Sequence, residues 1–269
     1  MNILFWNTGR RNLGNVEDCL LELITERDLD LVILAEYKGK IERLCNLPYV
    51  PIVNSGCEYI HALIKDKYKV SVLREAHRFN IVKISTPYSE LLIAMIHNIS
   101  KLNNVSEHSQ ITELAKFHYE INKQEDVYNC QNSIAIGDFN VNPFEIACIS
   151  ASAMHAIPYL EEVQKPSRIV QQEIYRKFYN PMWKFLGNRA PPYATYYYNK
   201  SGDVVNYYWN GFDQVMVRPG LINAFDENAL EIIIETKSKG HQLLKNGKPN
   251  KADYSDHLPL FCVLKEELI

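Results

Sequence analysis

The chain has 269 residues, room for one large domain or two small ones, and its 46% hydrophobic and 23% charged residues suit a globular protein with a sizeable core. No apolar run approaches the roughly 20 residues needed to span a bilayer, which excludes a membrane-spanning helix. The net charge of −3 argues against a polycation that binds nucleic acid by bulk electrostatics, although acids gathered at a metal site are offset by the cation they hold.

The N-terminal run Met1–Asn7 reaches a polar residue too soon for a signal peptide and lacks its basic start, so it reads as a first strand and the protein as cytoplasmic. Apolar, β-rich stretches then recur at Leu31–Leu34, Ile60–Ile64, Val70–Leu73, Ile81–Ile84, Leu91–Ile96, Ile134–Ile136, Val215–Val217, Ile232–Ile234 and Pro259–Leu264. Several are continuous apolar runs, the pattern of buried strands. Helical spacing of apolar residues appears over Val16–Ile24 and over Ile111–Ile121, with Ser109 as a cap for the second. A third, less regular helical zone is expected over 159–186, and loops over 98–109, 187–203 and 236–253. The last loop carries Lys237, Lys239, Lys245, Lys248 and Lys251, either as a solvated segment or as one that steers phosphates.

Six cysteines, at 19, 45, 57, 130, 148 and 262, form no C-x-x-C pair and no zinc-ligand spacing, and read as reduced thiols. No repeat or flexible linker divides the chain. Because motif residues stand at both ends, residues 1–269 read as a single domain. Strands in two blocks with helices between and around them suggest an α/β sandwich of two packed sheets covered by helices.

Polar residues cluster at the ends of the expected strands. Asn7 follows Leu4-Phe5-Trp6, Glu36 follows Leu31–Ala35, and His97 ends Leu92–Ile96. Asp138 and Asn140, within Gly137-Asp138-Phe139-Asn140, follow Ile134–Ile136. Asp213 precedes Val215–Val217, and Ser255-Asp256-His257 leads into the final strand. Each alone has an ordinary structural explanation. Together their types complement one another: oxygen donors such as Glu36, Asp256 and Asn7 suit a hard cation such as Mg²⁺, with Mn²⁺ as a substitute. The remaining carboxylates and imidazoles supply proton handling and charge stabilisation around a phosphate.

In that order, from residue 3 to residue 264, the chain resembles the endonuclease/exonuclease/phosphatase superfamily, which includes deoxyribonuclease I. The resemblance implies a four-layer α/β sandwich with two packed mixed β-sheets flanked by helices. It implies that Glu36 binds Mg²⁺ with Asn7 and Asp256 helping. Asp138 would orient or deprotonate water, and Asn140 would hold a phosphate oxygen. His257, paired with Asp213, would act as base or charge stabiliser, and His97 as an acid toward the leaving group with Glu58 as its partner. Which of Asp138 and His257 takes the proton is open at this stage.

Substrate contacts are expected from Tyr37 and Lys38, just after Glu36, and from Trp209 in the aromatic segment that also holds Tyr193, Tyr196, Tyr197, Tyr198, Tyr207, Tyr208 and Phe212. The leading expectation is a Mg²⁺-dependent phosphodiesterase acting on nucleic acid, most readily a DNA nuclease, with no membrane and no obligate protein partner. The alternatives are an enzyme for a small or lipid-derived phosphate ester and a non-catalytic binding protein on the same fold.

Overall fold

In the computed structural model, which describes all residues except 10–12, 45–47, 53–55, 102–105, 201 and 203, the expected strands form two sheets. Their first members in chain order are β1 (Asn2–Asn7), β2 (Leu31–Ala35), β3 (Tyr49–Pro51), β4 (Ile60–Lys65), β5 (Lys69–Ala76), β6 (Phe79–Ser85), β7 (Glu90–His97) and β8 (Ser133–Asp138). The first sheet runs Glu231–Ile232, Leu260–Val263, β1, β2, β4, β3. The second runs β5, β6, β7, β8, Asp213–Val217, Phe178–Tyr179, Ala156–Ile157. Both are mixed. In the first, β1 is parallel to β2 and antiparallel to Leu260–Val263, and in the second β7 is parallel to β8. The first and last strands of the chain are therefore neighbours.

Side-chain alternation explains the layers. In the second sheet Ile93, Met95, Ile134, Ile136, Val215 and Val217 enter the larger core, which also takes in the first sheet. Their neighbours Ala94, Ile96, Ala135 and Met216 enter a smaller core with Leu114, Phe117 and Ile121. Those last three belong to α2 (Glu107–Tyr128), while α1 (Leu13–Glu26) buries Val16, Leu20 and Leu23 in the larger core. Period-two strands with both faces apolar are what two buried sheet faces require. The result is the deoxyribonuclease I-like sandwich.

Three expectations are corrected. The cap of α2 is Ser106, whose side chain accepts from the Ser109 N–H, so the helix begins before Ser109. The zone 159–186 is mostly not helical. It holds one short turn (Leu160–Val163), a β-hairpin (Ser167–Val170 with Glu173–Arg176), the strand Phe178–Tyr179 and a 3₁₀ segment (Pro181–Gly187). The hairpin turns on Gln171-Gln172, both at positive φ, as a two-residue primed turn demands. The loop 236–253 contains a second such hairpin, Leu244–Lys245 with Lys248–Pro249, around Asn246-Gly247.

Five cysteines (19, 57, 130, 148 and 262) are free and buried, while Cys45 lies outside the described residues. Burial pushes the thiols of Cys19, Cys148 and Cys262 up to about 12, so they behave as small apolar side chains. Among the described residues no helix is long and apolar enough to cross a membrane.

Candidate active site

The second sheet builds one side of the site by register alone. His97 pairs with Asp138 across β7 and β8, and Asp138 pairs with Asp213 across β8 and Asp213–Val217. Three ionisable side chains thus stand in a row at the ends of three adjacent strands. Close approach of β7 and β8 explains Gly137, since a Cβ there would lie 2.0 Å from the Ile96 carbonyl oxygen.

The first sheet supplies the other side. At the end of β1, the Asn7 amide donates to Asp138 Oδ2 at 2.9 Å and accepts from the Gly9 N–H at 3.0 Å. After β2, Glu36 sits at φ 54°, a backbone cost for a non-glycine residue that is characteristic of functional positions. Its Oε1 lies 3.1 Å from His97 Nε2, and His97 stacks on Tyr59 with ring centroids 5.2 Å apart.

Ser255-Asp256-His257 closes the site from the C-terminal end. Ser255 Oγ donates to the Asn7 carbonyl at 2.7 Å and accepts the His257 N–H at 3.1 Å, while Trp6 Nε1 donates to the His257 carbonyl at 3.0 Å. This serine is the clamp that ties the tail to β1. His257 Nδ1 lies 2.8 Å from Asp213 Oδ2, and the Asp213 N–H donates to Thr195 Oγ1 at 3.2 Å.

Electrostatics follow from burial. Burial of the His257 ring opposes its charge, but Asp213, Asp138 and Asp256 outweigh it and push the imidazole up to about 10. Asp138 is held above the usual carboxylate range by burial first and by Asp213 second, against the pull of His257, His97 and the Asn7 hydrogen bond. Asn140, at φ 52°, donates its N–H to Asp138 Oδ1 at 2.8 Å. Its amide gives one hydrogen to the Asn98 carbonyl at 2.9 Å, which leaves the other for a ligand.

Asn7, Glu36, His97, Asp138, Asn140, Asp256 and His257 all line one cleft of about 750 Å³, with Asp213 buried behind His257. The donor set fits a hard divalent cation, because Glu36, Asp256 and Asn7 bring oxygen donors to the same cleft. Asp138, Asp213 and His257 also bring ligand atoms within 4.8 Å of one another, the one such cluster among the described residues. In that cluster, however, both Asp138 oxygens and one Asp213 oxygen already accept hydrogen bonds, leaving buried Asp213 Oδ1 without a partner. Donors so engaged fit a proton network better than a coordination shell.

Four sequence expectations fall elsewhere. Tyr37 is buried, donates to Glu17 at 2.7 Å and packs edge-on against His61, so it faces the core. Trp209 packs edge-on against Tyr193 and Tyr197, and strand alternation sends its neighbour Asn210 into the cleft instead. Lys38 is exposed and does not line the cleft. Glu58 is exposed, and the hydrogen-bonded carboxylate of His97 is Glu36.

The structure adds Tyr196, Tyr198, Tyr207 and Phe212 as an aromatic wall of the cleft. Tyr196 stacks on Phe212 and on Tyr198 and lies 4.6 Å from the His257 ring. Ser100, Lys101, Glu107, Asn210 and Glu145 also line it. The aromatic density was visible in sequence, whereas nothing in the sequence marked Lys101 or Glu145.

No family model and no curated protein matches the chain by sequence. Solved structures do match its shape. TDP2 from D. rerio, in complex with a single-strand DNA product, is 16% identical with a TM-score of 0.59, covering 97% of each chain. The endonuclease domain of TRAS1, a telomere-specific non-LTR retrotransposon, is 11% identical with a TM-score of 0.57, covering 98% of each chain. The 3′ phosphatase NExo from Neisseria, bound to a product DNA hairpin, is 12% identical with a TM-score of 0.56, covering 98% of this chain and 99% of that one. The fold is that of the endonuclease/exonuclease/phosphatase superfamily.

Proposed function

We propose that this protein is a Mg²⁺-dependent phosphodiesterase acting on nucleic acid, most readily DNA. The observation that carries the reading is the single cleft in which Asn7 and Glu36 from one sheet meet His97 and Asp138 from the other, backed by Asp213 and closed by Asp256-His257. A pure binding protein has no need of a buried carboxylate row wired to an imidazole.

Glu36 and Asp256, with Asn7 beside them, would hold the cation. When bound, such an ion supplies charge neutralisation to the phosphate oxygens. Asp138, fixed by Asn7 and Asn140 and more basic than an ordinary carboxylate, orients water and takes its proton. His257, charged and held by Asp213, faces the phosphate as a charge stabiliser. Asn140 offers its remaining amide hydrogen to a phosphate oxygen, and His97, anchored by Glu36, is the acid for the leaving group.

Support for nucleic acid comes from the aromatic wall, where exposed Tyr198 and Tyr207 offer flat surfaces to a base or sugar beside the phosphate. It comes also from the DNA products held by two proteins of this fold. The test is hydrolysis of labelled single- and double-stranded DNA, RNA, inositol phosphates and sphingomyelin, with Mg²⁺ or chelator, by the wild type and by Asp138→Asn and His257→Ala. Metal-dependent cleavage of DNA that both substitutions abolish is expected. Cleavage restricted to small or lipid phosphates would replace the nucleic-acid reading, and activity indifferent to chelator would overturn the mechanism.

A further inference from the structure

One ion pair lies within the lining of the cleft. Lys101 Nζ is paired with Glu145 Oε2, and Lys101 is the one lysine or arginine that lines the cleft among the described residues. The two partners are held very differently. The Glu145 side chain is 9% exposed, and its Oε1 accepts from the Asn142 N–H at 3.2 Å and from the Asn142 amide at 2.9 Å. Asn142 is itself fixed, donating to Asn210 Oδ1 at 3.0 Å and accepting from the Gly211 N–H at 2.8 Å. The Lys101 side chain is 45% exposed, on a long flexible stem. Glu145 is an anchored carboxylate, and Lys101 is the partner free to swing.

We propose that Lys101 is a specificity-determining cation of this cleft, parked on Glu145 in the free protein and taken over by a phosphate of the substrate. The identity of that substrate rests on the phosphodiesterase reading above. A partly exposed ion pair contributes little to stability, so exchanging one anion for another across the same lysine is inexpensive. Glu145 therefore competes with the substrate for its only lysine contact in the described cleft. The same charge pattern selects the substrate class. Glu107 and Glu145, outside the residues assigned to the cation, also line the cleft, so a phosphate cluster on one small ring would set several anions against carboxylates that no metal offsets. Singly charged phosphates spaced along a strand, with flat groups between them for the tyrosine wall, meet Lys101 one at a time.

The test uses full-length protein carrying Asp138→Asn to prevent turnover. Affinity for a labelled single-stranded DNA decamer is read by fluorescence anisotropy over a range of salt, and binding of inorganic phosphate by thermal shift. Lys101→Met is expected to weaken DNA binding about five- to tenfold and to lower the salt slope by about one phosphate contact. Glu145→Gln is expected to tighten binding about threefold, because it frees Lys101. The double variant should match Lys101→Met alone, and the phosphate shift should fall with the first variant and rise with the second. Opposite signs are the signature that a merely structural brace would not give. Equal weakening by both variants, or no effect of either, overturns the proposal. A parent protein that ignores DNA but shows phosphate shifts of opposite sign overturns the nucleic-acid reading and upholds the role of Lys101. A phosphate shift that is absent, or indifferent to both variants, overturns that role whatever happens with DNA.

Discussion

The Asn7 amide donates to Asp138 Oδ2 at 2.9 Å, a buried hydrogen bond that joins the end of β1 in one sheet to the end of β8 in the other. The two sheets pair separately but share the larger core, and the site lies where the ends of their inner strands meet. This bond sets the orientation of the Asp138 carboxylate, whose second oxygen is held by the Asn140 N–H. Removing it leaves a buried carboxyl oxygen short of a donor.

Asn7→Ala is therefore expected to lower kcat about 10²- to 10³-fold, the scale seen when one oriented donor is lost from a catalytic centre. Stability should fall by about 1–3 kcal/mol, because a buried acceptor loses its partner. Steady-state kinetics on the best DNA substrate, together with urea denaturation, checks both. Unchanged kcat with reduced stability would assign the bond a structural role only.

Gly137 tests the register. With its would-be Cβ 2.0 Å from the Ile96 carbonyl oxygen and φ at +152°, the backbone there has no room for any side chain. Gly137→Ala must push β7 from β8 at the point where His97 and Asp138 stand side by side. A loss of about 3 kcal/mol or more is expected in denaturant titration, with kcat reduced even where the protein remains folded. A variant as stable and active as the wild type would contradict this strand register.

Much of this site was legible in sequence because its residues stand at the ends of apolar runs, and a strand end is a position that pattern alone locates. Asn7, Glu36, His97, Asp138, Asn140, Asp256 and His257 were found that way, and all line one cleft. What failed was direction. Tyr37 and Trp209 lie close in sequence to cleft residues, but Tyr37, past the end of β2, turns to Glu17, and at Trp209 one residue along a strand reverses the face. Glu58 was placed by analogy of order, whereas Glu36, bent to positive φ, reaches His97 itself. The hairpin at 244–249 was legible and missed, because Asn246-Gly247 is a strong two-residue turn signal that the run of lysines obscured. Lys101 and Glu145 carry no local pattern, as their meeting depends on how the segments after β7 and β8 pack.

Acid sensitivity should have a distinct source away from the cleft. Buried His118 has its Nδ1 against the Ala153 carbonyl and its Nε2 3.3 Å from an Arg218 N–H donor, which fixes the neutral tautomer. Burial first, and the Arg218 charge second, push its pKa from 6.5 down to about 3. The folded state thus refuses a proton that the unfolded chain accepts below its ordinary value. The stabilisation is fully present above pH 6.5 and is lost as pH falls toward 3, at up to about 1.4 kcal/mol per pH unit. Urea titrations across this range should show a shallower acid loss for His118→Gln than for the wild type, even if that variant is less stable at neutral pH. Parallel slopes would mean that other groups govern the acid limb.

Glu36 offers the sharpest separation of metal binding from proton chemistry. Its side chain is 24% exposed in the cleft, open enough to meet an ion, whereas Asp138 and Asp213 are fully enclosed. Glu36→Gln keeps the size of the side chain and a carbonyl oxygen near His97 but removes the charge, and oxygen-donor sites tune affinity through ligand charge. The Mg²⁺ concentration for half-maximal activity is expected to rise at least about tenfold, and calorimetric Mn²⁺ binding to weaken in parallel. Asp213→Asn should behave differently, reducing kcat by about 10²-fold or more while Mn²⁺ affinity changes little, because its role is to hold His257. If Asp213→Asn abolishes Mn²⁺ binding while Glu36→Gln preserves it, the ion belongs with the Asp138, Asp213 and His257 cluster, and the division of labour across the cleft is reversed.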